Sequence, residues 1–139
     1  MRFIDTNVFV YSFLKTKREL KPSEIKIKKQ ARKILQKIDE GEKAVTSTVH
    51  LSECVNIIEA HHTLQEARAI INSILQHSNI EICSVDRNDY LTAVFLSQDS
   101  NKNINDCLAV ALMNKLKLRE IYSFDSDFDS FTEIIREVE

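Results

Sequence analysis

Glycine and proline each occur once in 139 residues. Connections must therefore be short and turn on Asn, Asp and Ser, as at Ser100-Asn101-Lys102-Asn103 and Asp125-Ser126-Asp127. There is no linker composition, internal repeat or low-complexity tract. No run of about 18 apolar residues exists, so no membrane span is predicted. The opening Met1-Arg2-Phe3-Ile4-Asp5 meets a carboxylate too early for a secretory leader, and a cytoplasmic location is expected. The three cysteines, Cys54, Cys83 and Cys107, form no C-x-x-C pair, which argues against a zinc ribbon or redox motif. They read as buried free thiols. His50, His61, His62 and His77 lack H-E-x-x-H spacing and read as solvated or capping residues.

What is present is an ordinary globular composition, 43% hydrophobic and 29% charged, long enough for one domain over 1–139. The net charge of −2 is unevenly spread. Eleven basic and five acidic residues lie between Lys15 and Lys43, leaving the remainder strongly acidic. A protein with one face for phosphates and another for cations needs such asymmetry, although a solvated lysine-rich helix would also produce it.

The patterning alternates strands and helices. Arg2 to Ile4 reads as a short strand with Asp5 at its tip, and Val8 to Phe13 as a short apolar helix. Pro22-Ser23-Glu24 opens a long helix, with serine as the expected cap, and Asp39-Glu40-Gly41 stops it. Ala44 to Thr48 reads as a second strand, and Leu51 to His62 and Glu66 to His77 as helices. Ile80 to Val85 follows as a strand, and a helix starts at Asp86 to Asp89. Ile104 to Leu116 is an apolar helix, Glu120 to Phe124 a strand ending at Asp125, and Glu133 to Val138 an edge strand. Strands separated by helices imply an α/β fold with a parallel sheet covered on both faces. Ligands of such sheets gather outside the carboxyl ends of the strands.

Four acids converge on that edge. Asp5 and Asp125 each follow a strand, Glu53 lies early in the helix after the second strand, and Asp106 opens the helix beginning near Ile104. Each has an ordinary explanation taken singly: a cap for Asp5, a helix-terminus acid for Asp106, a surface glutamate for Glu53 and a solvated turn for Asp125, Asp127 and Asp129. Their conjunction points to a site. Converging carboxylates repel unless a cation joins them. Oxygen ligands without histidine or thiolate suit Mg²⁺ or Mn²⁺ rather than zinc. Phosphodiester hydrolysis needs this arrangement, with one or two ions activating water and stabilising the leaving oxygen.

Phe3-Ile4-Asp5-Thr6-Asn7-Val8-Phe9-Val10-Tyr11 resembles the opening motif of PIN-domain proteins. Ser47 to Val55 is similar to that family's second acidic motif, Asn105-Asp106-Cys107-Leu108-Ala109-Val110-Ala111 to its third, and Tyr122 to Phe128 to its last. The motifs stand in family order across nearly the whole chain. The resemblance implies a three-layer α/β/α sandwich around a parallel sheet of four to five strands. It implies a Mg²⁺- or Mn²⁺-dependent endoribonuclease with metal-ligand roles at Asp5, Glu53, Asp106 and Asp125. Thr6, Asn7 and Ser123 fall in supporting positions, and Asp127 either assists Asp125 or takes its place. The chain size is most like VapC-type toxins, which implies an RNA substrate, an antitoxin partner and a homodimer. The departure is a lack of glycine around the third motif, which touches loop shape and substrate preference. The stretch from Lys15 to Lys43 would then face either RNA or the antitoxin.

Other classes fit less well. A haloacid-dehalogenase-type phosphatase wants a second aspartate two residues after Asp5, where Asn7 stands. A receiver domain wants paired acids near its first strand and a lysine after a late one, and neither is clear. The remaining alternative is a non-catalytic PIN fold serving as an RNA-binding or complex-assembly module.

Overall fold

The computed structural model describes residues 1–15 and 18–139. Five short strands, β1 (Arg2–Ile4), β2 (Ala44–Ser47), β3 (Ile80–Cys83), β4 (Glu120–Tyr122) and β5 (Ile135–Glu137), form one sheet in the order β3-β2-β1-β4-β5. Every pairing is parallel. Six helices connect them: α1 (Thr6–Phe13), α2 (Pro22–Asp39), α3 (Thr48–His61), α4 (Leu64–Leu75), α5 (Arg87–Ser100) and α6 (Ile104–Lys115). A short 3₁₀ turn spans Ser126–Ser130.

Alternation along the strands sends neighbouring side chains to opposite faces. Ile4, Ala44, Ile80 and Tyr122 pack with residues of α1 to α4, including Phe9, Ile34, Ile58 and Ile74. Phe3, Val45 and Ile121 pack on the other face with Ala93 of α5 and Cys107, Leu108 and Val110 of α6. The result is the expected three-layer α/β/α sandwich, with five strands. In α6, seven consecutive residues from Cys107 to Met113 are buried, as a helix enclosed on all sides requires. Among the described residues, no helix is long and apolar enough to cross a membrane.

The amino ends of three strands are clamped by Arg2. Its guanidinium meets Glu120 at 2.5 Å and Glu42 at 2.7 Å, and donates to the Tyr122 hydroxyl at 2.8 Å. The opposite, carboxyl ends are left to polar groups, and the main chain stays paired there. The Asp5 N–H donates to the Tyr122 carbonyl at 3.0 Å and the Ser123 N–H to the Glu137 carbonyl at 3.1 Å.

Several boundaries differ from the sequence expectation for local reasons. Ser23 does not cap α2: Lys21 stands at the cap position, Pro22 takes the first helical position, and the Glu24 carboxylate accepts from the Lys21 N–H at 3.3 Å. β2 stops at Ser47 because its hydroxyl accepts the His50 N–H at 3.2 Å, so α3 begins at Thr48 rather than Leu51. Thr63 similarly caps α4, which starts at Leu64 instead of Glu66. β3 ends at Cys83 and β4 at Tyr122, each two residues earlier than expected. The free thiols of Cys54 and Cys107 are buried as expected, whereas Cys83 is only half-buried. His50 is also fully packed rather than solvated.

Candidate metal centre

Parallel β1, β2 and β4 deliver their chain exits to one edge, and the candidate acids follow from those exits. Asp5 is the first residue after β1 and is 8% exposed. Its Oδ1 accepts the Thr6 N–H at 2.9 Å, capping α1, while Oδ2 accepts the Ser123 hydroxyl at 2.8 Å. The capping role open to this residue is therefore real but engages one oxygen. Ser123, fully buried just beyond β4, also accepts the Asp125 N–H at 3.0 Å. One hydroxyl thus fixes Asp5 relative to the segment carrying Asp125.

Asp106 sits in the first turn of α6, where Asn103 caps the helix by accepting the Asp106 N–H at 3.0 Å. Its Oδ2 is buried and has no hydrogen-bond partner among the described residues. Burial, and then the charges of Asp125, Asp5 and Asp127, push this carboxyl up to about 7. Asp5 is likewise raised, by burial first and by Asp125, against the opposing bonds from Ser123 and Thr6. Asp106, Asp125 and Asp127 each offer an oxygen within 4.8 Å of the others. The Asp127 N–H also donates to Asp125 Oδ1 at 2.9 Å, and its carboxylate meets Lys102 Nζ at 3.3 Å.

Glu53 is outside that tight triangle. It lines, with Asp5 and Asp106, an open cleft of about 700 Å³. Its carboxylate accepts the Thr6 hydroxyl at 3.2 Å and the Asn105 amide. The His50 carbonyl, at 3.0 Å, shares that one hydroxyl proton, joining α1 to α3. Asn7 behaves differently: it is exposed on α1 and borders a separate small cleft with Tyr11 and Lys28, with no bond to the acids among the described residues.

Three further residues enter the site that sequence reasoning had not singled out. Asn105 was visible as the neighbour of Asp106, but its link to Glu53 depends on how α3 and α6 approach. His50 lines the same cleft, with Nδ1 2.6 Å from the Ser47 hydroxyl and its ring edge-on to Phe3. Burial pushes it down to about 4, partly opposed by Glu53. Lys102 lay in a stretch that read only as a connection.

The donor set is all oxygen, one buried carboxylate oxygen lacks a partner among the described residues, and neighbouring acids help to raise the pKa of Asp5 and Asp106. Those three properties fit a hard divalent cation such as Mg²⁺ or Mn²⁺.

Comparison with known proteins agrees with this architecture. A family model described as PIN domain matches residues 2–134. Comparison with curated protein sequences gives no significant match. Among solved structures, Mycobacterium tuberculosis VapC20, a sarcin–ricin-loop-cleaving toxin, is similar with a TM-score of 0.72 at 16% identity, covering 94% of each chain. Rickettsia felis VapBC2, bound to a fragment of its promoter DNA, gives 0.70 at 14% identity over 98% of this chain and 96% of that one. A toxin–antitoxin complex from Klebsiella pneumoniae gives 0.68 at 15% identity, covering 97% of this chain and 96% of that one.

Proposed function

This chain belongs to the PIN-domain family, and from that premise we propose that it is a Mg²⁺- or Mn²⁺-dependent endoribonuclease, the toxin of a toxin–antitoxin pair. The observation that carries the reading is the buried Asp106 oxygen, without a hydrogen-bond partner among the described residues, beside Asp125, Asp5 and Asp127. A carboxylate in such company costs stability unless a cation or proton relieves it.

Asp5, Asp106 and Asp125 would hold the cation, with Glu53 completing the set from the cleft wall. Asp125 is preferred over Asp127 as the fourth acid, because it loads both Asp5 and Asp106 and is the largest charge acting on each. Asp127 acts on Asp106 more weakly and has Lys102 as partner. When bound, the divalent cation supplies Lewis-acid chemistry, acidifying water and offsetting charge that grows on the phosphate. Ser123 and the Thr6 N–H orient Asp5, while the Thr6 hydroxyl and Asn105 orient Glu53 so that its charge faces the cleft. Asn7, which borders a separate cleft, has no part in orienting the acids.

The solved neighbours support an antitoxin partner, since complexes of such pairs are among them. The resemblance further implies a cytoplasmic homodimer, for which light scattering should give twice 16.1 kDa. The chemistry is tested by incubating purified protein with structured RNA and Mn²⁺. Cleavage that EDTA abolishes and Asp5→Asn loses supports the enzyme. RNA binding without cleavage would instead favour the non-catalytic module.

A further inference from the structure

Lys102 is the one cation in an ion pair with any of these acids among the described residues. Its main chain is fixed on several sides. Asn101 closes α5 in the left-handed region at φ 57°, and Asn103 caps α6. The Ser97 hydroxyl donates to the Lys102 carbonyl at 2.5 Å, and the Lys102 N–H donates to the Ser100 hydroxyl at 3.2 Å. Ser97 and Asn103 both line the cleft that holds Asp5, Glu53 and Asp106. The stem therefore leaves a rigid point on the cleft rim, and its side chain remains 28% exposed.

Such anchoring is more than a surface pair needs. An exposed Lys–Asp contact contributes little to stability and gives little reason to fix the backbone around it. The ammonium has three donors, and Asp127 takes one at 3.3 Å. The others have no partner among the described residues, and the neighbouring Ser97 and Asn103 border the cleft.

We propose that Lys102 is the substrate-side cation of this centre, binding a non-bridging oxygen of an RNA phosphate at the cleft while Asp127 holds it in position. The proposal rests on the ribonuclease reading and deepens it. Asp127 is then a positioning residue for the lysine rather than a metal ligand. Lys102 transfers nothing in this role. Its part is to meet the negative charge that a four-carboxylate site would otherwise repel.

The test uses the whole chain with Lys102→Met, which keeps the stem and leaves the backbone contacts intact, and Lys102→Arg as the conservative variant. The probe is a fluorescein-labelled RNA hairpin, with Mn²⁺ for cleavage and Ca²⁺ for binding. Lys102→Met should lower single-turnover cleavage by roughly 10- to 100-fold. It should reduce the slope of log affinity against log salt by about 0.7–0.9. Mn²⁺ affinity should stay within about threefold, or tighten as a competing cation leaves, and Lys102→Arg should recover part of the cleavage. Unchanged salt slope and hairpin affinity in Lys102→Met would overturn the proposal, as would a tenfold loss of Mn²⁺ affinity. If wild type binds the hairpin but never cleaves it, the ribonuclease reading fails while the salt slope still decides the lysine's role.

Discussion

Asp106 and His50 lie in the same cleft and pull the pH dependence of stability in opposite directions. Asp106 is pushed up to about 7 from an ordinary 3.8, so the folded metal-free chain retains a proton that the unfolded chain releases. Its contribution therefore falls as pH rises through that window. His50 is pushed down to about 4 from 6.5, so the unfolded chain takes up a proton first on acidification. Stability from His50 is complete above pH 6.5 and is lost as pH falls toward 4. Asp106→Asn should remove the first effect and keep the second. Thermal melts at pH 7 in EDTA are expected to show the variant more stable by about 1–2 kcal/mol, after discounting for solvent around a half-buried group. The same variant should lose Mn²⁺-dependent cleavage. A metal-free variant no more stable than wild type would show that repulsion at Asp106 is not the strain described. Ser123→Ala provides a complementary measurement. It removes a buried donor to Asp5 and an acceptor for the Asp125 N–H, and urea unfolding should report a loss of about 1–3 kcal/mol.

At the scale of elements, caps place the candidate acids. Asn103 starts α6 and Ser47 starts α3, so two acids of the site are positioned by helix ends rather than by strands. Asn103→Ala should cost about 1 kcal/mol in stability through the lost cap. It should also weaken Mn²⁺ binding, because the first turn holding Asp106 frays; a stability loss with unchanged Mn²⁺ affinity would separate the cap from the site. Much of this level was legible in the sequence. Alternating apolar pairs such as Phe3 and Ile4 marked the strands, and the continuous apolar run from Cys107 to Met113 marked a buried helix. The starts of α3 and α4 were harder, because Ser47 and Thr63 compete as caps inside stretches whose apolar periodicity begins later. Asp5 and Asp106 were legible because strand exits and helix starts fix them locally. The bonds from Glu53 to Thr6 and Asn105 were not, since they depend on the packing of three helices. Lys102 was hidden for the same reason: its partner Asp127 lies 25 positions away and is reached only through the tertiary fold.

Across the whole molecule, charge is divided between a basic early segment and an acidic site. Of the stretch from Lys15 to Lys43, residues 16 and 17 lie outside the described residues. In α2, Lys26, Lys29, Arg32, Lys33 and Lys37 are exposed, while Lys28 is turned inward onto the Tyr11 and Leu14 carbonyls at the end of α1. If α2 faces RNA, replacing Lys26, Lys29 and Arg32 by Gln should lower hairpin affinity and flatten its salt dependence, with cleavage of bound RNA unchanged. Unaltered RNA binding would instead assign this face to the protein partner. Neither surface has meaning for catalysis unless the acids bind a divalent cation. Isothermal titration of Mn²⁺ into the metal-free protein at pH 6.5 and pH 7.5, in buffers of different ionisation enthalpy, tests that directly. Saturable binding accompanied by proton release that is larger at pH 6.5 is expected, because more Asp106 carries a proton there. Asp106→Asn should abolish both. No saturable heat, or equal binding by wild type and Asp106→Asn, would contradict the metal centre.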